Sequence, residues 1–210
     1  LFSRAFQLMT KYGNLETLKI LSDTSVIISE GEVLELSNDK DPTINEDVYF
    51  EVLNAKTASL FSAACQVGGI SANGNSKQIE SLKSFGTNFG MAFQLIDDAI
   101  DYSSNNSSLG KNIGDDFKEG KVTLPIILAY LRSDKLEKEF WNKTINNLDQ
   151  KKGDFNKATS IIQKYNCIED TIERARHFAN VALDSLGPFN DNKYKLSLIN
   201  LIKTSLNRLN

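Results

Sequence analysis

Proline is nearly missing from this chain: three residues in 210. Proline inside a helix removes a hydrogen bond and clashes with the preceding turn, so its scarcity leaves long, unbroken helices open to the sequence. Histidine is scarcer still. The one copy, His177, sits in the polar stretch ERARHF and reads as a surface or packing residue. No Ser-His-Asp or Cys-His arrangement is visible, and there is no glycine-rich phosphate loop of the Walker or dinucleotide type. The two cysteines, Cys65 and Cys167, lie far apart in apolar surroundings without metal-ligand spacing. They read as buried, reduced thiols and not as a disulfide. Neither sign of charge dominates, with 24 Lys and Arg against 27 Asp and Glu, so nothing suggests a nucleic acid or acidic membrane as partner. No apolar run approaches the roughly 18–20 residues of a membrane span, and no signal peptide is seen. The chain reads as a cytoplasmic protein with one sizeable core, a single domain over 1–210. It opens on Leu1, inside the apolar stretch LFSRAFQLM, where a frayed polar start is usual. The expectation is that the protein begins upstream.

Nearly every segment has helical period. NLETLKILSDTSVIISEGEVLEL predicts a helix from Asn14, a plausible N-cap, with Leu18, Leu21, Ser25, Ile28, Glu32 and Glu35 on one face. That face begins apolar and ends on two carboxylates. After the loop 37–43, a second helix is expected from about Asn45 to Val67, stopped by Gly68-Gly69. Tyr49, Val52, Lys56, Leu60 and Ala63 share its stripe. A third runs from Ser76 to about Tyr102. Residues 103–116 are rich in turn formers and read as a loop. TLPIILAYLRS restarts a helix, with Thr123 as cap and Pro125 in the first turn, and two or three amphipathic helices follow. No strand pair or internal repeat is evident. The fold class is all-α, a bundle of long helices.

The segment FQLIDDAIDY, residues 93–102, carries Asp97, Asp98 and Asp101 among apolar residues. Aspartate is a poor helix former, like charges a turn apart repel by roughly 0.2–0.5 kcal/mol per pair, and the helix C-terminus disfavours anions. Helical spacing puts Gln94, Asp97 and Asp101 on one face with Asp98 beside it. A solvated acidic helix end is one reading. The apolar flanks favour another, in which the acids face a cavity and hold a hard cation. Oxygen ligands on a helix without a cage-forming loop suit Mg²⁺ that keeps waters and bridges to phosphates. Lys56 could snorkel at the surface or serve such an anion. Lys111 in LGKN and Lys121 in EGKVTLP each follow a glycine, which lets backbone approach a ligand. With the acids they form a metal-plus-ammonium set suited to a diphosphate. Asp115 and Asp116 could cap the next helix or extend the metal shell.

GMAFQLIDDAIDYSSNNSSLGKNIGDDFKEGKVTLP, SEGEVLEL (29–36) and AKTASLF (55–61) together resemble blocks of the trans-polyprenyl diphosphate synthases, nearest to the bacterial octaprenyl type that makes quinone side chains. The resemblance covers nearly the whole chain. It implies an isoprenoid synthase-like fold around a central cavity, lacking its N-terminal helices. By the same resemblance Asp97, Asp98 and Asp101 hold Mg²⁺ that bridges an allylic diphosphate. Lys56, Gln94 and Lys111 contact that diphosphate with Lys121 nearby, and Asp116 stands behind the metal. Ionisation of the allylic C–O bond releases diphosphate and lets isopentenyl diphosphate attack the cation; a proton is then lost to the departed diphosphate, and the cycle repeats. A homodimer is the family's expectation.

Two departures stand out. The family's first aspartate-rich motif and the basic residues for isopentenyl diphosphate are not in the chain, so the 210 residues alone are expected to be inactive. Glu35 stands where the family often has Gln. A non-catalytic partner subunit of a heteromeric synthase and a helical terpene cyclase are the alternatives. The retained Asp and Lys set argues against the first, and the GK…GK spacing against the second.

Overall fold

A computed structural model of the chain describes residues 2–103 and 114–208. Among these residues every regular element is helical. The helices are α1 (Phe2–Tyr12), α2 (Leu15–Ser37), α3 (Glu46–Leu53), α4 (Ser59–Ser71), α5 (Ser76–Asp101), α6 (Asp115–Glu119), α7 (Leu124–Arg132), α8 (Lys135–Trp141), α9 (Asp154–Lys164), α10 (Cys167–Ser185) and α11 (Lys193–Asn207). Five-residue π-helical turns, Asn54–Ala58 and Asn142–Asn146, join α3 to α4 and extend α8.

Asparagine starts the long helices. The Asn14 side chain accepts from the Thr17 backbone N–H at 2.8 Å, and the Thr17 hydroxyl accepts from the Asn14 N–H at 3.0 Å. This reciprocal box satisfies donors that the first turn would otherwise leave orphaned, worth roughly 1 kcal/mol. Asn75 and Gln78 repeat the box at α5, at 3.0 Å both ways. Thr123 does occupy the N-cap position of α7, but its side chain makes no capping bond.

Four expectations need correction. The second helix does not stop at Gly68-Gly69 but runs on to Ser71. Gly69 is a contact point instead: a Cβ there would stand 3.0 Å from the Leu82 side chain of α5. The π turn also breaks the predicted stripe. Burial steps from Tyr49 to Leu53 to Ala58 to Ser62, and the five-residue step rotates Leu60 out to 53% exposure. On α2 the inward face carries Thr17, Thr24 and Gly31, all buried, with Leu21, Ile28 and Glu35 partly covered. Ser25 and Glu32 fall outside it. Small residues, not the largest apolar ones, mark this face because α2 lies close against the π turn and α4. Finally, the loop expected over 103–116 is cut short, since Asp115 and Asp116 form the first turn of α6.

The core is built around α5, flanked by α4 on one side and α10 on the other. Ala175, Ala179 and Ala182, fully buried on one face of α10, allow that helix to close on α5. Leu95, Ile96 and Ile100 of α5 join Leu124, Ile126, Trp141 and Ile162 in one cluster, and Phe85 and Phe89 join Leu186 and Ile202 in a second. The carboxylate-bearing end of α5 is thus fixed from several sides. Cys167 is buried, Cys65 only partly, and His177 is exposed.

Candidate active site

A cavity of about 400 Å³ opens between the C-terminal end of α2, the α3–π-turn segment, the last turns of α5 and the start of α7. Its polar lining includes Glu35, Lys56, Gln94, Asp98 and Lys121. Of the three α5 aspartates, Asp98 is the one that lines it. Spacing had put Asp98 beside the face shared by Gln94, Asp97 and Asp101. Gln94 in fact pairs with Asp98 one turn on, and the three acids diverge to three different neighbours.

Asp98 is 2% exposed. It accepts from the Tyr49 hydroxyl at 2.6 Å and from Gln94 Nε2 at 2.9 Å. Gln94 Oε1 in turn accepts from the Thr57 hydroxyl at 3.2 Å. Burial lifts the Asp98 carboxyl to about 6 against the pull of Lys121, Tyr49 and Gln94. Asp101 accepts from the Asp116 backbone N–H at 3.2 Å. Its carboxyl is also lifted to about 6, by burial first and then by the Asp116 charge. Lys121 stands 3.4 Å from Asp116. Burial opposes its charge, but Asp98 and Asp116 overcome this and raise its pKa. Gly120, left-handed at φ 74°, makes the turn that delivers Lys121; a Cβ there would meet Leu148 at 2.5 Å. Asp97 points toward α11, where Arg208 Nη2 lies 3.2 Å from it and the guanidinium sits over the Phe93 ring.

Lys56 does face the cavity, carried there by the π turn, which is a feature frequent at functional sites. Its ammonium is paired with Glu32 at 2.9 Å and with Glu35. Burial works against the charged form, and the two carboxylates more than offset it, raising the pKa. Lys111 lies outside the described residues. Among the described residues no three acidic, histidine or cysteine side chains converge on one point that could hold a metal.

Five partners escaped the sequence reading: Tyr49 and Thr57 on the Asp98–Gln94 pair, the two α2 glutamates on Lys56, and Arg208 on Asp97. The Lys56 pairing had a visible signal, because the α2 face ends on acids and the α3–α4 stripe carries one lysine. The Arg208 contact had none, since nothing local links the end of α11 to α5.

A polyprenyl synthetase family model matches residues 1–162. The octaprenyl diphosphate synthase of Haemophilus influenzae is 35% identical over 208 residues, 99% of this chain and 63% of that protein. The Escherichia coli octaprenyl diphosphate synthase is 47% identical over 129 residues, 61% of this chain and 40% of that protein. Among solved structures, the polyprenyl synthase of Caulobacter crescentus, complexed with calcium and isoprenyl diphosphate, superposes with a TM-score of 0.93. It is 40% identical, over 100% of this chain and 64% of that one. The polyprenyl synthase of Roseobacter denitrificans gives 0.91 at 40% identity, over 99% and 68%. The chain therefore spans less than two thirds of the length of these curated relatives.

Proposed function

This chain belongs to the polyprenyl synthetase family, and on that premise we propose that it is the larger part of an enzyme condensing an allylic prenyl diphosphate with isopentenyl diphosphate into a long trans-polyprenyl diphosphate, for quinone side chains. The observation that carries the reading is the cavity itself. It sets two lysine ammoniums, Lys56 and Lys121, together with a buried carboxylate, Asp98, from the last turns of α5. Ammonium groups facing a cavity suit a multiply charged anion.

The acid wall fits a hard divalent cation. Asp101 and Asp116 are held together by the bond from the Asp116 backbone N–H to the Asp101 carboxylate, and their mutual repulsion is part of what raises Asp101. A cation would relieve that repulsion, and carboxylate oxygens are the donors Mg²⁺ prefers. Asp101 and Asp116 would hold it where they stand, and Asp97 and Asp98 would join them only by leaving Arg208 and Tyr49; its chemistry there would be to offset charge on the departing diphosphate. Lys56, Gln94 and Lys121, with Lys111, would bind and orient the allylic diphosphate, and the lysines would stabilise charge as the C–O bond breaks. Gln94 and Tyr49, donating to Asp98, fix that carboxylate's direction. The apolar helices would sheathe the prenyl tail and keep water from the cation. The octaprenyl and nonaprenyl synthase relatives favour neither a terpene cyclase nor a non-catalytic subunit. We propose action in the cytoplasm as a homodimer. Among the described residues no helix is long and apolar enough to cross a membrane.

The test is incorporation of labelled isopentenyl diphosphate onto a farnesyl diphosphate primer, by the 210 residues and by a chain of the relatives' full length. Elongation by the longer chain only, lost in Lys121→Ala, is the expected result. No elongation by either chain refutes the function, and turnover by the 210 residues refutes their inactivity alone.

A further inference from the structure

Lys56 is not an open ammonium waiting for an anion. Two α2 carboxylates already share it, Glu32 at 2.9 Å and Glu35 in direct contact, and its side chain is 26% exposed. The arrangement is built into the backbone. A Cβ on Gly31 would stand 2.5 Å from Ala55 Cβ and 3.3 Å from the Lys56 backbone nitrogen. Only glycine lets α2 come this near the π turn, and one helical turn later that closeness brings Glu35 onto Lys56. Glu35 also lines the cavity, and its charge reaches the second ammonium, on Lys121.

We propose that Glu35, with Glu32, is the resident counter-ion of Lys56: a positioning residue that holds the ammonium at the cavity and competes with the incoming diphosphate for it. This rests on the diphosphate reading above. One ammonium against two carboxylates leaves this corner net negative. A diphosphate must take over the hydrogen bonds of Lys56 and then stand beside two unpaired like charges. The glutamates thus tune the site toward weaker capture and easier release of the anion. Their negative charge, and not merely their bulk, is the operative property.

The experiment is calorimetric titration of the chain with inorganic diphosphate at fixed magnesium. Glu35→Gln keeps shape and hydrogen bonding while removing the charge. It is expected to tighten binding five- to tenfold, with a smaller gain for Glu32→Gln. Both gains should shrink when Lys56 is also replaced by Ala, because only the direct repulsion of the anion is then left to relieve, and thermal melts should show each variant folded. Unchanged or weaker binding by Glu35→Gln overturns the proposal, as does a gain that is undiminished without Lys56. Lys121→Ala in the same titration separates the two levels. If it weakens binding while Glu35→Gln does nothing, the counter-ion role falls and the diphosphate site stands. If neither Lys121→Ala nor Lys56→Ala alters diphosphate binding, the site reading falls too.

Discussion

Replacing Gly86 by Ala tests how tightly α5 is held against α4. In an isolated helix the change would help, by roughly 0.5–1 kcal/mol, because glycine loses more backbone entropy on folding. Here the new Cβ would meet the Phe61 carbonyl oxygen at 2.4 Å, the Phe61 carbonyl carbon at 2.7 Å and Ser62 Cα at 2.7 Å. All three are backbone atoms, so no rotamer can give way; the helices must separate. Overpacking of a dense interior costs about 1–3 kcal/mol, and contacts with rigid backbone belong at the upper end. Subtracting the propensity gain leaves a net loss of about 1–2 kcal/mol. For a domain of this size that lowers the Tm by roughly 2–8 °C. Gly68→Ala is the matched control, since a Cβ on this α4 glycine meets nothing within 4 Å. It should retain the propensity gain and raise the Tm by roughly 1–4 °C. Differential scanning calorimetry on both variants decides the matter. Shifts of the same sign would refute the claim that close backbone approach, and not local propensity, dictates glycine at 86.

Asp98 should give metal-free stability a falling slope with pH. Its carboxyl is raised from the ordinary 3.8 to about 6, by burial foremost, so the folded protein holds a proton that the unfolded chain has released. Stability therefore declines from about pH 4 to 6, by up to about 3 kcal/mol for a shift near two units, and stays lower above. Urea unfolding at several pH values should show a slope in Asp98→Asn reduced to the part that Asp101, raised likewise to about 6, contributes, and an unaltered slope would contradict the assignment. Lys56→Ala should weaken allylic diphosphate binding by roughly 1.5–3 kcal/mol, toward the upper end because Glu32 and Glu35 are left facing the anion; affinity within error of wild type returns Lys56 to a surface role. In calorimetry with a bisphosphonate, Asp97→Ala should abolish the magnesium-dependent component while Arg208→Ala retains it. Loss in both, or in neither, would sink Asp97 as a metal ligand.

Helix positions were legible because caps and periodicity are local: Asn14 was read as a cap and is one, and the starts expected near Asn45 and at Ser76 fall where Asn45 and Asn75 cap the next two helices. What failed depended on contacts between helices. Gly68-Gly69 looked like a stop, yet Gly69 faces α5, and chain continuity cannot reveal what lies opposite. The α2 face was misassigned by a few residues because burial there goes to Thr17, Thr24 and Gly31, and the larger Leu15, Val26 and Val33 stay exposed. At the site, residue types were readable and directions were not. Asp97, Asp98 and Asp101 are near neighbours on one helix, but α11, Tyr49 and α6 draw them apart. Only the packed arrangement of distant segments decides which acid meets which partner.

The π turn at Asn54–Ala58 has a consequence for which changes in chain length this region can absorb. The segments 46–53 and 59–71 each have their own buried side, and the extra residue between them keeps both sides inward at once. Deleting any one residue of the turn would restore a regular α-helix and swing one segment about 100° around its axis relative to the other. Either Tyr49 would leave Asp98, or Ala58 and Ser62 would leave α5. The wide turn therefore works as a phase shifter: a single-codon deletion at Asn54 or Ala55 would act as a rotation of one helical segment against the other, felt from Tyr49 to Gly69, although no side chain in the cavity had been removed.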